Sequence, residues 1–313
     1  MLSANISRFK PRRQLGKTGF NATQLGIGDI ADKKITVEQC SATIRRALKA
    51  GLNIVDTAPC YEDGYSETVV GKAIKGFRDK VFLIDKIDNH NDPVEPQIEA
   101  SLARLQTNMA DLFVLHALDT LEGWQNAVKP GGAFEQMDSC RKKSMLRFRG
   151  ISSHNPDVLQ TAILSGLCDV IMFPIGPYCD SRFIEIILPL AKEHNVGTVC
   201  FKTFGAGKLL GDTPGYNQPL QQRPRGKFSS GGEESAEPTL PHLSVEQCLN
   251  YTLTIDPDVA LLGLCFTNEQ DAAFEVARNF KPLMPPQMEE IKTLAAEAVK
   301  DKGDCWWNPK KIQ

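Results

Sequence analysis

Three short apolar runs in the first half of the chain each close on a residue capable of proton chemistry, and they do so at a fixed interval. The run Leu52, Ile54, Val55 closes on Asp56, KVFLIDKI closes on Lys86 and DLFVLHAL closes on His116, with 30 residues between successive polar ends. About 30 residues is the length of one strand-helix-strand unit. Three successive parallel strands would therefore deliver a carboxylate, an ammonium and an imidazole to one rim, with the phenol of Tyr61 on the first connecting loop.

The alternation continues along the chain. A hairpin around Lys17-Thr18-Gly19 leads into a first strand, Gln24 to Ile30, and Thr36 caps a helix whose apolar positions recur through Ala42, Ile44, Ala47 and Leu48. After Asp56 the pattern predicts helix Glu67 to Ile74, strand 81–87, helix Pro96 to Leu105 and strand 111–118. A longer connection through Pro130-Gly131-Gly132 follows, then helix Phe134 to Lys143, strand Phe148 to Ser152, helix Pro156 to Leu164 and strand 169–174. Helix Phe183 to His194, strand Gly197 to Phe204 and strand Ala260 to Phe266 complete eight strands. Such alternation within 313 residues predicts an α/β chain forming one (β/α)8 TIM barrel domain over 1–313, with an N-terminal β-hairpin. An open doubly wound sheet would want GxGxxG after its first strand, and Gly26-Ile27-Gly28-Asp29-Ile30 does not supply it. Residues 211–242, rich in Pro, Gly and Ser, form a long loop after strand seven on the rim of the candidate site. The tail, 301–313, carries Trp306-Trp307, which anchors it against the barrel or binds a ligand.

Composition narrows the partners. A formal net charge of −2 gives no electrostatic footprint for nucleic acid or an anionic membrane, so the expected partner is a small molecule. Apolar runs such as Ile184 to Ala191 fall far short of the roughly 20 residues that span a bilayer, and MLSANISRFKPRR lacks the apolar core of a secretory signal. Nine cysteines without a CxxC pair, several inside apolar runs, fit a reducing cytoplasm. No histidine grouping has metal-ligand spacing, so no metal is expected; His90 reads as a loop residue at the pocket edge.

The DTAPCY stretch at Asp56 to Tyr61, the strand ends at Lys86 and His116, and RGISSH at 149–154 together resemble the aldo-keto reductase family, from the hairpin at Arg13 to the strand at Phe266. The resemblance implies reduction of an aldehyde or ketone, or oxidation of the alcohol, with Tyr61 as proton donor and Asp56, Lys86 and His116 as its partners. The chemistry asks for the same groups independently: hydride goes to the carbonyl carbon while a proton reaches the oxygen. A phenol of ordinary pKa about 10 is made a better acid by an adjacent ammonium.

A barrel carries no hydride of its own, so a cofactor is implied. In the family it is NADPH, with NADH also possible here. Ser152 and Ser153 match the pair that holds the carboxamide, with serine in place of asparagine, and Met172 stands near a usual glutamine. Phe201 falls near the stacking tyrosine beside Lys202, and Phe204-Gly205-Ala206-Gly207-Lys208 resembles the pyrophosphate loop. At the adenosine end the run Gly263 to Gln270, with Asn268 and Gln270, is followed by Ala273-Phe274 where the family has Glu-Asn, leaving Arg278, Lys202 and Lys208 as nearby cations. That departure motivates an alternative, a catalytically slow nicotinamide-binding sensor on the same barrel. A Schiff-base role for Lys86 is disfavoured, because Asp56 would hold it protonated. Trp124, Tyr178, Trp306 and Trp307 are candidates to line a pocket or to pack in the core, and substrate and oligomeric state stay open.

Overall fold

The computed structural model describes residues 9–28, 32–210, 221–222, 228–229, 241–264, 267–300, 302 and 304–309. Strands β1 (Arg13–Gln14) and β2 (Asn21–Ala22) pair antiparallel as the expected hairpin, with Arg13 opposite Ala22. The barrel strands are β3 (Leu25–Gly28), β4 (Ile54–Asp56), β5 (Phe82–Ile87), β6 (Ala110–Leu115), β7 (Leu146–Ser152), β8 (Val170–Pro174), β9 (Gly197–Phe201) and β12 (Val259–Leu262). They are all parallel, and β12 closes the cylinder by pairing with both β3 and β9. Two further short strands, β10 (Gln221–Gln222) and β11 (Phe228–Ser229), pair with each other inside the long loop. Most of 211–242 lies outside the described residues.

Helices cover the outside: α1 (Val37–Ala50), α2 (Tyr65–Ile74), α3 (Val94–Leu105), α4 (Leu121–Val128), α5 (Ala133–Lys142), α6 (Pro156–Leu164), α7 (Leu188–Glu193), α8 (Val245–Ile255), α9 (Thr267–Arg278) and α10 (Pro285–Ala298). Thr36 caps α1 as expected, in a reciprocal box with Gln39. The connection at 119–133, expected as a loop, contains α4, whose first turn is held by the Thr120 side chain accepting from Gly123 N. Its eight residues include Gly123 and Asn126, too short and too weak a helix former to declare itself by period. The Phe183 to His194 helix is split into a π turn at Phe183–Ile187 followed by α7, with Pro189 in its first turn, where a missing N–H is tolerated.

Strand ends also differ from the expected ones, and the backbone shows why. Ala117 at φ 51° turns the chain after β6, and Lys202 at φ 80° stops β9 before Phe204. The expected first strand and last strand run into 29–30 and 265–266, which lie outside the described residues.

Parallel strands are apolar on both faces because both are covered. Alternate residues separate two cores: Val55, Leu83 and Phe113 face the helices, whereas Ile54, Phe82, Ile84, Leu112 and Val114 fill the barrel interior. Leu15 and Ala22 of the hairpin join the interior core, so the hairpin plugs the floor. Gly16 makes that seat, because a Cβ there would lie 2.2 Å from Gly197 N. With the floor filled, only the opposite rim is left for polar side chains.

The tail is strapped to that rim. Trp307 is fully buried and donates Nε1–H to Tyr178 O at 2.8 Å, while Asn308 Oδ1 accepts from Asp180 N at 2.9 Å. Lys302 reaches under it to give Nζ–H to Lys208 O and Pro241 O. Trp124 packs in the helical layer edge-to-face with Phe134. Trp307→Ala should lower stability by about 3–5 kcal/mol. Trp306→Ala, at a ring 38% exposed, should cost far less, as read by denaturant unfolding.

Candidate active site

The inward alternation that fills the barrel also builds the site. Two residues above Ile54 comes Asp56, above Ile84 comes Lys86, and above Val114 comes His116, each one inward step past the apolar core. Lys86 Nζ lies 2.6 Å from Asp56 Oδ1 and 2.6 Å from Thr57 O, and both charged side chains are almost wholly buried. Tyr61 arrives from the β4–α2 loop: its ring centroid is 4.6 Å from Lys86 Nζ and 5.7 Å from the His116 ring, edge-on at 73°. The structure thus brings together all four residues expected to share a rim. Burial pulls the Lys86 pKa down, but Asp56 first and then Tyr61 outweigh it, and the amine titrates above its ordinary range.

One more inward step, just past the end of β5, supplies a residue that spacing did not single out. Asp88, two past Lys86, lies 2.5 Å through Oδ1 from His116 Nδ1 and accepts Cys60 N–H on Oδ2 at 2.7 Å. Burial raises the Asp88 pKa, and the hydrogen bond and charge of His116 more than reverse this, leaving it low. His90 sits at the pocket edge as expected. Burial lowers its pKa, against a smaller raising effect of the His116 main chain. Beside it a cavity of about 410 Å³ opens between Asn91 and α4, lined also by Asp119, Thr120 and Glu122.

The residues expected to bind cofactor divide into two groups. Phe201 takes the inward position above Val199, partly exposed, 5.7 Å from the His154 ring, with Lys202 Nζ over its face at 5.4 Å. Gly28 stands opposite Asp56 on the neighbouring strand, where a Cβ would meet Leu261 Cβ at 3.3 Å and Asp56 Oδ2 at 3.4 Å. This ring and cation fit the nicotinamide end of a dinucleotide.

Other expected contacts are already committed. Ser152 Oγ accepts from Ala117 N at 2.8 Å, and buried Ser153 donates to Asp119 Oδ1 at 3.0 Å, so both fasten the β6–α4 loop. Met172 is fully buried in the interior core. Phe204 is buried, and the N–H groups of Gly205 and Gly207 bond Lys202 O and Phe204 O within their own turn. Lys208 lies beneath the tail, giving Nζ–H to Asp304 O at 2.6 Å. Arg278 rests on the Phe9 ring. Gln270, expected near the adenosine end, is instead fully buried between α9 and α1 and donates to Thr43 O at 2.9 Å; Asn268 is partly exposed in the first turn of α9. Helix packing, invisible to a motif, decided these orientations.

Comparison with known proteins matches residues 22–272 to the model described as "Aldo/keto reductase family". Aldo-keto reductase YhdN of Bacillus subtilis is 30% identical over 219 residues, 63% of each chain. Methylglyoxal reductase YeaE of Escherichia coli is 45% identical over 174 residues, covering 54% of this chain and 59% of its own. The holo form of aldo-keto reductase AKR11C1 from Bacillus halodurans superposes with a TM-score of 0.65 at 25% identity, over 92% of this chain and 97% of that one.

Next to Lys86, alternation turns Asp85 outward into the seam between barrel and helices. It is fully buried; Oδ1 accepts Lys86 N–H at 2.8 Å and Oδ2 has no hydrogen-bond partner. Burial, then the charge of Glu67, pushes its pKa well up, while Glu67 itself is held by Arg104 at 3.0 Å. The folded state therefore holds the Asp85 proton more tightly than the unfolded chain, whose aspartate titrates near about 3.9. The stabilisation is complete below that value and declines as pH rises through the raised folded pKa. Asp85→Asn, which keeps an acceptor and cannot ionise, should flatten the loss of unfolding free energy as pH rises above about 4.

Proposed function

Because the chain belongs to the aldo/keto reductase family, we propose that it reduces small aldehydes or ketones with NADPH or NADH, or runs the reverse oxidation. The observation that carries this reading is Lys86 Nζ, 2.6 Å from Asp56 Oδ1 and 4.6 Å from the centre of the Tyr61 ring. Bound at the rim, the reduced nicotinamide supplies hydride to the carbonyl carbon. Phe201 and Lys202 would hold its nicotinamide end, with Ser152 at the end of β7 and Ser153 just after it. Gly205 and Gly207 lie along the same path, and Asn268 at the adenosine end.

The chain's own residues handle the proton. Tyr61 gives its hydroxyl hydrogen to the carbonyl oxygen as negative charge gathers there, and the Lys86 ammonium stabilises the phenolate left behind. Asp56 and Thr57 O keep that ammonium charged and aimed. His116, steadied by Asp88 through Nδ1, turns its other nitrogen toward the carbonyl oxygen and fixes the approach.

The working unit is one barrel domain spanning the chain, taking a small molecule rather than nucleic acid or a membrane surface. Among the described residues no helix is long and apolar enough to cross a membrane, and eight cysteines are free thiols, which supports a cytoplasmic setting. The name of YeaE makes methylglyoxal a suitable first probe. Tyr61→Phe should lower kcat by roughly 10²–10⁴-fold with NADPH affinity, read by nucleotide fluorescence, nearly unchanged. Turnover at the wild-type rate would remove Tyr61 as proton donor.

A further inference from the structure

Three consecutive rim loops bring a thiol, an imidazole and a carboxylate to one point. Cys60 follows β4, Asp88 follows β5 and His116 follows β6, and their ligand atoms all lie within 4.8 Å of one another. Cys60 Sγ is 3.6 Å from His116 Nδ1, and Asp88 Oδ1 is 2.5 Å from that same nitrogen. The second Asp88 oxygen accepts Cys60 N–H, so the loops are pinned before any ligand arrives. Cys60 is exposed and the His116 and Asp88 side chains are 19% and 28% exposed, so solvent reaches the cluster.

The spacing suits a tetrahedral cation. Ligands at about 2.3 Å for sulfur and about 2.05 Å for nitrogen, spread at a tetrahedral angle, lie about 3.6 Å apart. That is the separation already present between Cys60 Sγ and His116 Nδ1. Asp88 would have to withdraw only from hydrogen-bond to ligand spacing, opening its distance to the nitrogen by about 0.8 Å. The mixed sulfur, nitrogen and oxygen set favours zinc over the hard cations magnesium and calcium.

We propose that Cys60, Asp88 and His116 form a binding site for a zinc-class divalent cation at the mouth of the active site, and that its occupancy inhibits carbonyl reduction. On binding, the Cys60 thiol proton leaves to solvent, His116 coordinates through Nδ1 as the neutral imidazole with its proton on Nε2, and the thiolate and carboxylate balance the two positive charges. The cation takes the nitrogen through which Asp88 steadies His116, and its fourth position faces the rim where a carbonyl would enter. The inhibitory half rests on the reductase reading above; the binding half does not.

Cobalt(II), a spectroscopic substitute for zinc, tests the site on the full chain without reference to activity. One equivalent should develop a sulfur-to-cobalt charge-transfer band that zinc abolishes. Cys60→Ser should lose the band, Asp88→Asn should weaken cobalt affinity at least ten-fold, and Cys179→Ser should keep the band. Zinc should inhibit NADPH-dependent methylglyoxal reduction by the wild type at least ten-fold more strongly than by Cys60→Ser. No band at one equivalent, or an unchanged band in Cys60→Ser, would overturn the site. A Cys60-dependent band with equal zinc sensitivity in both enzymes would overturn inhibition alone. A wild type that oxidises no NADPH contradicts the reductase reading, and the cobalt band still decides the site.

Discussion

The buried contact between Lys86 and Asp56 is the constraint from which the rim takes its form. Removing two charges from water costs several kcal/mol for each, and a pair repays that only with close approach and further hydrogen bonds. Here the approach is 2.6 Å, and Thr57 O takes a second ammonium proton at the same distance. The pair needs two adjacent parallel strands held in register, and β4 and β5 are held so, with Asp56 opposite Ile84. Everything beneath is apolar and plugged by the hairpin, so the ammonium can project its field only upward, toward Tyr61 and the open rim.

Around that centre, neighbouring groups limit what can move. Asp88 ties the loop of Cys60 to the ring of His116, while Asp119 ties His154, Ser153 and the β6–α4 loop together. On the far side the tail lies over Lys208, with the Trp306 and Trp307 rings 5.1 and 5.9 Å from Lys202 Nζ. The side of the rim around Tyr61 and His116 is thus stiffened by short polar contacts, whereas the side around Lys202 and Lys208 is covered by the aromatic rings of Trp306 and Trp307.

Much of this was legible in the sequence, and the reason is periodicity. The 30-residue interval fixed which strands are neighbours, and the two-residue alternation within each strand fixed which side chains reach the interior. Those two periods suffice to bring Asp56, Lys86 and His116 to one rim. Asp88 obeyed the same alternation and was passed over because it lies beyond the apolar run that marked the strand. The cluster with Cys60 escaped because its three members come from three loops, with no spacing of their own.

The cofactor side was less legible for a physical reason. Motif matching assigns a residue to a ligand without asking what else competes for its side chain. Gln270 bonds a carbonyl on α1, Ser152 and Ser153 bond the β6–α4 loop, and Lys208 bonds the tail. Each competitor is distant in sequence or belongs to a different element. The short helix α4 and the strap over 178–180 were hidden similarly, being defined by partners rather than by their own pattern. The proton-donating unit itself is tested most directly by a double-mutant cycle on the single-turnover rate of bound NADPH oxidation by methylglyoxal, with nucleotide fluorescence confirming that each variant binds cofactor. If Tyr61 and Lys86 act as one unit, Tyr61→Phe and Lys86→Met together should be no slower than the slower single variant. Losses that multiply would contradict the account.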